Sequence, residues 1–228
     1  MTGILARKID LVIFDCDGVL IDSEVISAKM LVEELGKRDV HITMDYVAHH
    51  FLGRSYPVVL EQIRKEFDVD LPPEFEEQYR ARLLMAYEQS LLPVEGVRQV
   101  LEQLAVPFCL ATSSSPVRLA KSLEMTGLAT FFTGRTTTAS EVANGKPAPD
   151  LFFLAAKRFG ADPENCLVVE DSENGVNAGL AAGMKVWRFI GGSHLKHLSN
   201  SRDNAAGAEQ VFASYGEFFQ LEPDLRLG

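Results

Sequence analysis

Cysteine, positive charge and long apolar runs are all scarce in this chain, and each scarcity excludes something. Its three cysteines, Cys16, Cys109 and Cys166, are far apart and lie inside apolar runs with no C-x-x-C spacing. That excludes a disulfide scaffold and a thiolate zinc site, and reads as buried free thiols in a reducing compartment. Lys and Arg number 22 against 32 Asp and Glu, a net charge of -10, so the average surface repels a polyanion and nucleic acid is not an expected partner. No run approaches the roughly 18 apolar residues of a membrane span, and the opening MTGILARKIDLVIF has no signal-peptide core. The expectation is a cytoplasmic protein without a membrane partner. No internal repeat or low-complexity tract is present. The 46% hydrophobic content is enough for a sizeable core without staples.

What is there is an alternation. Apolar strand-like runs recur at 10–14, at PFCLA (107–111), at CLVVE (166–170) and at KVWRFI (185–190), with FFTGRTTT (131–138) as a further short strand. Helical patterns lie between most of them. SSPVRLAKSLEMTG has Pro116 near its first turn and Gly127 at its end, and DLFFLAAKRFG is opened by Pro149 and stopped by Gly160. This is the pattern of βαβ units, so the fold class is α/β: a Rossmann-like parallel sheet with helices on both faces. Residues 23–91 hold no convincing strand and are far more than one crossover needs. Their helical stretches include SEVISAKMLVEELG, then YPVVLEQIRKEF with Leu60, Ile63 and Phe67 at helical spacing, and EFEEQYRARLLMAYEQSLL with Phe75, Tyr79, Leu83 and Tyr87 at steps of four. The expected organisation is a core of 1–22 and 92–228 with an α-helical domain inserted at 23–91. The Gly- and Ser-rich segment 191–210 reads as a long surface loop, with His194 and His197 as solvated polar residues rather than metal ligands.

Open α/β sheets place their sites at the carboxyl ends of strands. Four such places carry chemistry here: Asp15 and Asp17 in LVIFDCDGVL, Thr112 with Ser113 and Ser114 in TSSS, Lys146 in NGKPAPD, and Glu170 with Asp171 in VVEDSENG. Residues two apart on a strand point the same way, so Asp15 and Asp17 leave the sheet together. If these ends converge, four carboxylates share one small site. Two unit charges 4 Å apart repel by about 4 kcal/mol at an effective dielectric near 20, so such a cluster calls for a cation. Lys146 and a divalent ion would answer it. Carboxylates, a backbone carbonyl and waters suit Mg²⁺, which shares its shell readily with phosphate oxygens. The Thr112 hydroxyl and the backbone N–H groups after Asp15 could receive the other phosphate oxygens.

DCDGVL, Thr112 after an apolar strand, Lys146 before PAPD, and EDSENGVNAGLAAGM resemble, in order and spacing, the four motifs of the haloacid dehalogenase superfamily of phosphohydrolases. The resemblance spans nearly the whole chain, since the helical insert is similar to the superfamily's cap domain, and it points to the branch of β-phosphoglucomutase-like and sugar-phosphate phosphatases. It implies Asp15 as a nucleophile forming an aspartyl-phosphate, Asp17 as acid and then base, and Thr112 as a phosphoryl contact. It also implies that Lys146 bridges Asp15 and the phosphate, with Ser113 and Ser114 beside the substrate. Mg²⁺ would sit on the Asp15 carboxylate, the Asp17 carbonyl and Asp171, with Glu170 as a further or water-mediated ligand. The implied cap would close over the site about hinges near Asp22 and Pro93, and Arg54 in LGRSY is a candidate substrate contact. The implied substrate is a small phosphorylated metabolite, a sugar phosphate or a sugar-acid phosphate such as phosphogluconate, and the expected state is a monomer.

Four other readings compete. A dehalogenase lacks the acid/base aspartate that Asp17 would supply. A phosphomutase of the branch usually carries a His early in the first cap helix and an Arg in the next cap loop, where this chain has Ser27 and Tyr56. A phospho-accepting signalling domain also uses Asp, Mg²⁺, Thr or Ser and Lys, but is shorter and lacks a second aspartate two residues after the first. A silent binding scaffold would not need the full catalytic set.

Overall fold

The computed structural model describes residues 8–51, 53–195 and 207–228. Its centre is β1 (Leu11–Phe14), four apolar residues with no exposed side chain, as expected of a parallel strand covered on both faces. Around it β2 (Phe108–Thr112), β3 (Thr136–Thr138), β4 (Cys166–Glu170), β5 (Lys185–Phe189) and β6 (Gln210–Phe212) complete a six-stranded sheet in the order β3-β2-β1-β4-β5-β6, with every pairing parallel.

The two-residue alternation of the strands divides the core. Leu11, Ile13, Cys109, Ala111, Val168 and Val186 face one layer, where α7 (Asp150–Phe159) and α8 (Glu173–Ala181) bury Leu151, Phe152, Ala155, Val176 and Ala178. Val12, Phe14, Leu110, Val169 and Trp187 face the other, with α5 (Val97–Gln103), α6 (Pro116–Met125) and α9 (Phe218–Leu221). Helix α6 starts at Pro116, and α7 stops where Gly160 takes a left-handed conformation, as the sequence predicts. All three cysteines are buried free thiols.

Between β1 and α5 the chain forms α1 (Glu24–Gly36), α2 (Met44–His50), α3 (Tyr56–Phe67) and α4 (Pro73–Ser90). Leu31, Leu35, Leu60, Ile63, Phe75, Tyr79 and Leu83 pack together and continue into the apolar layer over the sheet. The chain leaves and re-enters the sheet side by side: Asp22 N–H donates to the Leu92 carbonyl at 3.0 Å and Val94 N–H to the Leu20 carbonyl at 2.9 Å.

Two expectations need correcting. The segment 191–210 is not a loop throughout: Ser193–Leu195 forms a turn of 3₁₀ helix and Gln210 begins β6. Nor is His194 a solvated residue, because its side chain is 6% exposed and lies against Asp171. His197 lies outside the described residues.

Candidate active site

In this strand order the chain reverses direction of winding at β1, the kind of place where open α/β sheets form a crevice. Asp15 follows β1, Thr112 closes β2, Glu170 closes β4, and Lys146 arrives on the loop between β3 and α7. Lys146 is the hub. Its ammonium donates to Asp15 Oδ1 at 2.5 Å, to Glu170 Oε1 at 2.6 Å and to the Ala111 carbonyl at 3.1 Å, which uses all three of its protons. Burial works to lower the Lys146 pKa, but Asp15 and Glu170 outweigh it and hold the amine above its ordinary value.

Glu170 is fixed from the other side as well. Its Oε2 accepts from the backbone N–H groups of Asp171 and Ser172 at 3.0 and 3.1 Å and from the Ser172 hydroxyl at 3.0 Å. Ser172 in turn caps α8 by accepting from Gly175 N–H.

Oxygens of Asp15, Glu170 and Asp171 lie within 4.8 Å of one another, all three residues buried. One lysine is too little positive charge for them. Burial, then the neighbouring carboxylates, push the Asp15 carboxyl well above the ordinary range against the pull of Lys146, and burial and Glu170 do the same to Asp171. Asp171 Oδ2 is buried with no hydrogen-bond partner among the described residues. A hard, oxygen-only cluster with excess negative charge fits a divalent cation. Gly18 permits this approach: its φ is +78°, and a Cβ there would lie 2.0 Å from Asp171 Oδ2.

The Asp17 carboxylate points elsewhere and is not part of the metal cluster. Its Oδ1 accepts from Ser23 Oγ at 2.6 Å and from Arg118 Nη2 at 2.7 Å, and its Oδ2 from Ser114 Oγ at 2.5 Å. Burial acts to raise its pKa, yet Arg118 and the two hydroxyls prevail and hold it below the ordinary value. Arg118 Nη2 also donates to the Tyr87 hydroxyl at 2.7 Å and to Ser27 Oγ at 3.3 Å, both on the inserted helices.

Asp15, Asp17, Thr112, Ser113, Ser114 and Arg54 all line one cavity of about 290 Å³, together with Tyr56, Tyr79 and Leu83 of the insert. Thr112 Oγ1 accepts from Ser114 N–H at 3.0 Å, and Ser113 Oγ donates to the Gly53 carbonyl at 2.9 Å, which ties the insert to the sheet's edge of the cavity. Arg54 is the outlier, an exposed side chain that donates to Gln62 Oε1. Arg118 is the site residue that sequence reasoning missed. The available signal was position: helical side chains lean toward the N-terminus, so a cation two residues after Pro116 is aimed back at the strand end.

The hub makes Lys146 testable as structure. Lys146→Met leaves Asp15 and Glu170 buried without a counter-charge, an imbalance that costs about 3–5 kcal/mol when one partner of a buried pair is removed. Urea unfolding in metal-free buffer is expected to show that loss, and Lys146→Met with Glu170→Gln is expected to recover part of it. Full additivity of the two single changes would mean the pair is not coupled.

Comparison with known proteins agrees with this geometry. The haloacid dehalogenase-like hydrolase family matches residues 9–183. The chain is 30% identical to a 6-phosphogluconate phosphatase of Escherichia coli (strain K12), over 84% of this chain and 87% of that one. It is 34% identical to a probable pseudouridine-5'-phosphatase of Drosophila melanogaster, over 96% and 95%. Among solved structures, a hydrolase of the same family from Deinococcus radiodurans R1, crystallised with phosphate and sodium, is 33% identical and superposes with a TM-score of 0.74, covering 97% of this chain and 99% of that one. With six parallel strands, an insert after the first, and a lysine-bridged acidic site at the strand ends, the chain belongs to the haloacid dehalogenase-like hydrolases and is an enzyme of their phosphatase kind.

Proposed function

We propose that the protein is a Mg²⁺-dependent phosphatase of a small phosphorylated metabolite, a sugar phosphate or sugar-acid phosphate, acting through an aspartyl-phosphate on Asp15. The observation that carries this reading is Asp15 itself. It is a buried carboxylate held by Lys146 in the lining of a metabolite-sized cavity, with a second carboxylate two residues on that is bound to different partners.

Asp15 is the nucleophile, and its attack on phosphorus expels the substrate's oxygen. Lys146 stays beside Asp15 and offsets the charge that grows on the phosphoryl group. Thr112, at the end of β2, holds a phosphoryl oxygen. Asp17 gives the leaving oxygen a proton and later takes one from the water that cleaves the aspartyl-phosphate. The Asp15 and Asp171 carboxylates and the Asp17 carbonyl would hold Mg²⁺, with Glu170 bound chiefly to Lys146 and its own backbone turn. When bound, the ion supplies positive charge to the phosphoryl oxygens. The inserted helices act as the cap that excludes water, and the paired backbones at Asp22 and Val94 are the hinge strands.

The names of the two relatives support the reaction, and the cavity supports the size class, since about 290 Å³ is at the small end for ligand sites. Ser27, where a mutase would have a histidine, is engaged by the Tyr87 hydroxyl at 2.7 Å. The stacked rings of Tyr56 and Tyr79, 4.5 Å apart, add a flat wall to the cavity, so a nucleoside monophosphate belongs in the test.

Phosphate release should be measured on hexose and pentose phosphates, phosphogluconate, phosphoglycolate and a pyrimidine nucleoside 5'-monophosphate, with Mg²⁺ and with EDTA. The expected result is metal-dependent release with a marked preference within the panel. Absence of release from every compound would overturn the hydrolase reading and favour a mutase.

A further inference from the structure

His194 stands on the far side of Asp171 and has no part in the chemistry above. Its Nε2 lies 2.9 Å from Asp171 Oδ2, and its side chain is 6% exposed. Among the described residues, neither ring nitrogen makes a hydrogen bond, and neither does Asp171 Oδ2. Three buried polar atoms without partners at one point are costly, and such groups in folded proteins are rare.

The surrounding chain is shaped to put the imidazole there. After β5 the backbone passes through Gly191 and Gly192, and a Cβ on Gly192 would lie 2.6 Å from His194 Cε1. A Cβ on Gly18, from the opposite wall, would lie 2.8 Å from the same atom. Ser193 then anchors the turn, its N–H and hydroxyl both donating to Asp22 Oδ1 at 3.1 and 2.8 Å. In the run GGSH, Gly192 thus makes room for the ring, Ser193 fastens the turn and His194 is delivered to Asp171.

The ring is not part of the oxygen cluster. The ligand atoms gathered within 4.8 Å come from Asp15, Glu170 and Asp171, and among the described residues no histidine joins them. We propose that His194 is a positioning residue for the divalent cation: it holds Oδ2 of Asp171 and leaves the other carboxylate oxygen to face the metal. A neutral imidazole with its proton on Nε2 does this after a small ring rotation, which satisfies Nε2 and Asp171 Oδ2 together. The inference rests on Asp171 being a metal ligand, as proposed above.

Binding of Mn²⁺ alone to the full-length protein, followed by electron paramagnetic resonance of the free ion, tests it without turnover. His194→Leu is expected to weaken Mn²⁺ binding by about 10- to 100-fold, the usual effect of losing a partner of a ligating carboxylate. His194→Gln, which can place an N–H near the Nε2 position, is expected to retain most of the affinity, and His194→Asn, too short to do so, to lose it. Should the leucine variant fail to fold, the contrast between Gln and Asn decides. Affinity in His194→Asn within twofold of the wild type overturns the proposal, as does a directly coordinated histidine nitrogen in the wild-type Mn²⁺ spectrum. A wild-type protein that binds no Mn²⁺ overturns the metal reading itself, a result distinct from both.

Discussion

Asp15→Asn is expected to fold and to release phosphate from no substrate, with a rate lowered by about 10⁴-fold or more, the scale on which removing a nucleophile acts. The amide is nearly isosteric, so the β1 terminus and the Ala111 and Glu170 contacts of Lys146 are retained while the attacking oxygen loses its charge. Two measurements check it together: initial rates of phosphate release on the preferred substrate, and acid-quenched protein assayed for covalently bound phosphate. Neither turnover nor phosphoenzyme should be found. A rate near that of the wild type would remove Asp15 from the nucleophile's role.

Asp17→Asn should fail differently. It leaves Asp15 free to attack but removes the group that activates water, so dephosphorylation slows by about 10²–10⁴-fold, the usual worth of a general base. On a substrate with a good leaving group, which needs little protonation, a burst of product equal to the enzyme concentration should precede a slow phase. Phosphate should be recovered on the protein during that phase. Steady release with no burst and an unchanged rate would exclude Asp17 from both proton transfers. The pair of variants therefore separates formation of the covalent species from its breakdown.

The strands and the acidic site were legible in the sequence for a physical reason. A parallel strand buried on both faces must be continuously apolar, so LVIF, PFCLA and CLVVE stand out, and charged residues at their ends are conspicuous because such strands otherwise exclude them. Short edges were less visible. Strand β6 is three residues, running from exposed Gln210 to buried Phe212, and its QVF is too brief to show alternation after a Gly- and Asn-rich stretch. Helix α2, seven residues ending in two histidines, was hidden in the same way.

Arg118 and His194 escaped because their roles depend on where a helix and a turn land in space. Composition pointed the wrong way for His194. Glycine and serine beside a histidine suggest a solvated loop, whereas here Gly192, with Gly18, leaves space for a buried ring to reach a carboxylate.

The guanidinium of Arg118 divides one nitrogen among Asp17 on the core and Tyr87 and Ser27 on the inserted helices. Were those helices to swing away, the two hydroxyls would leave and Asp17 would remain the single acceptor. The carboxylate would then be gripped harder as an anion and would be a poorer proton donor than in the enclosed state. On the proposed mechanism, opening the site would therefore leave Asp17 less ready to give the leaving oxygen a proton. Enclosure and proton delivery would then be linked through Arg118, and a phosphorylated molecule too large to be covered would be disfavoured by electrostatics as well as by size.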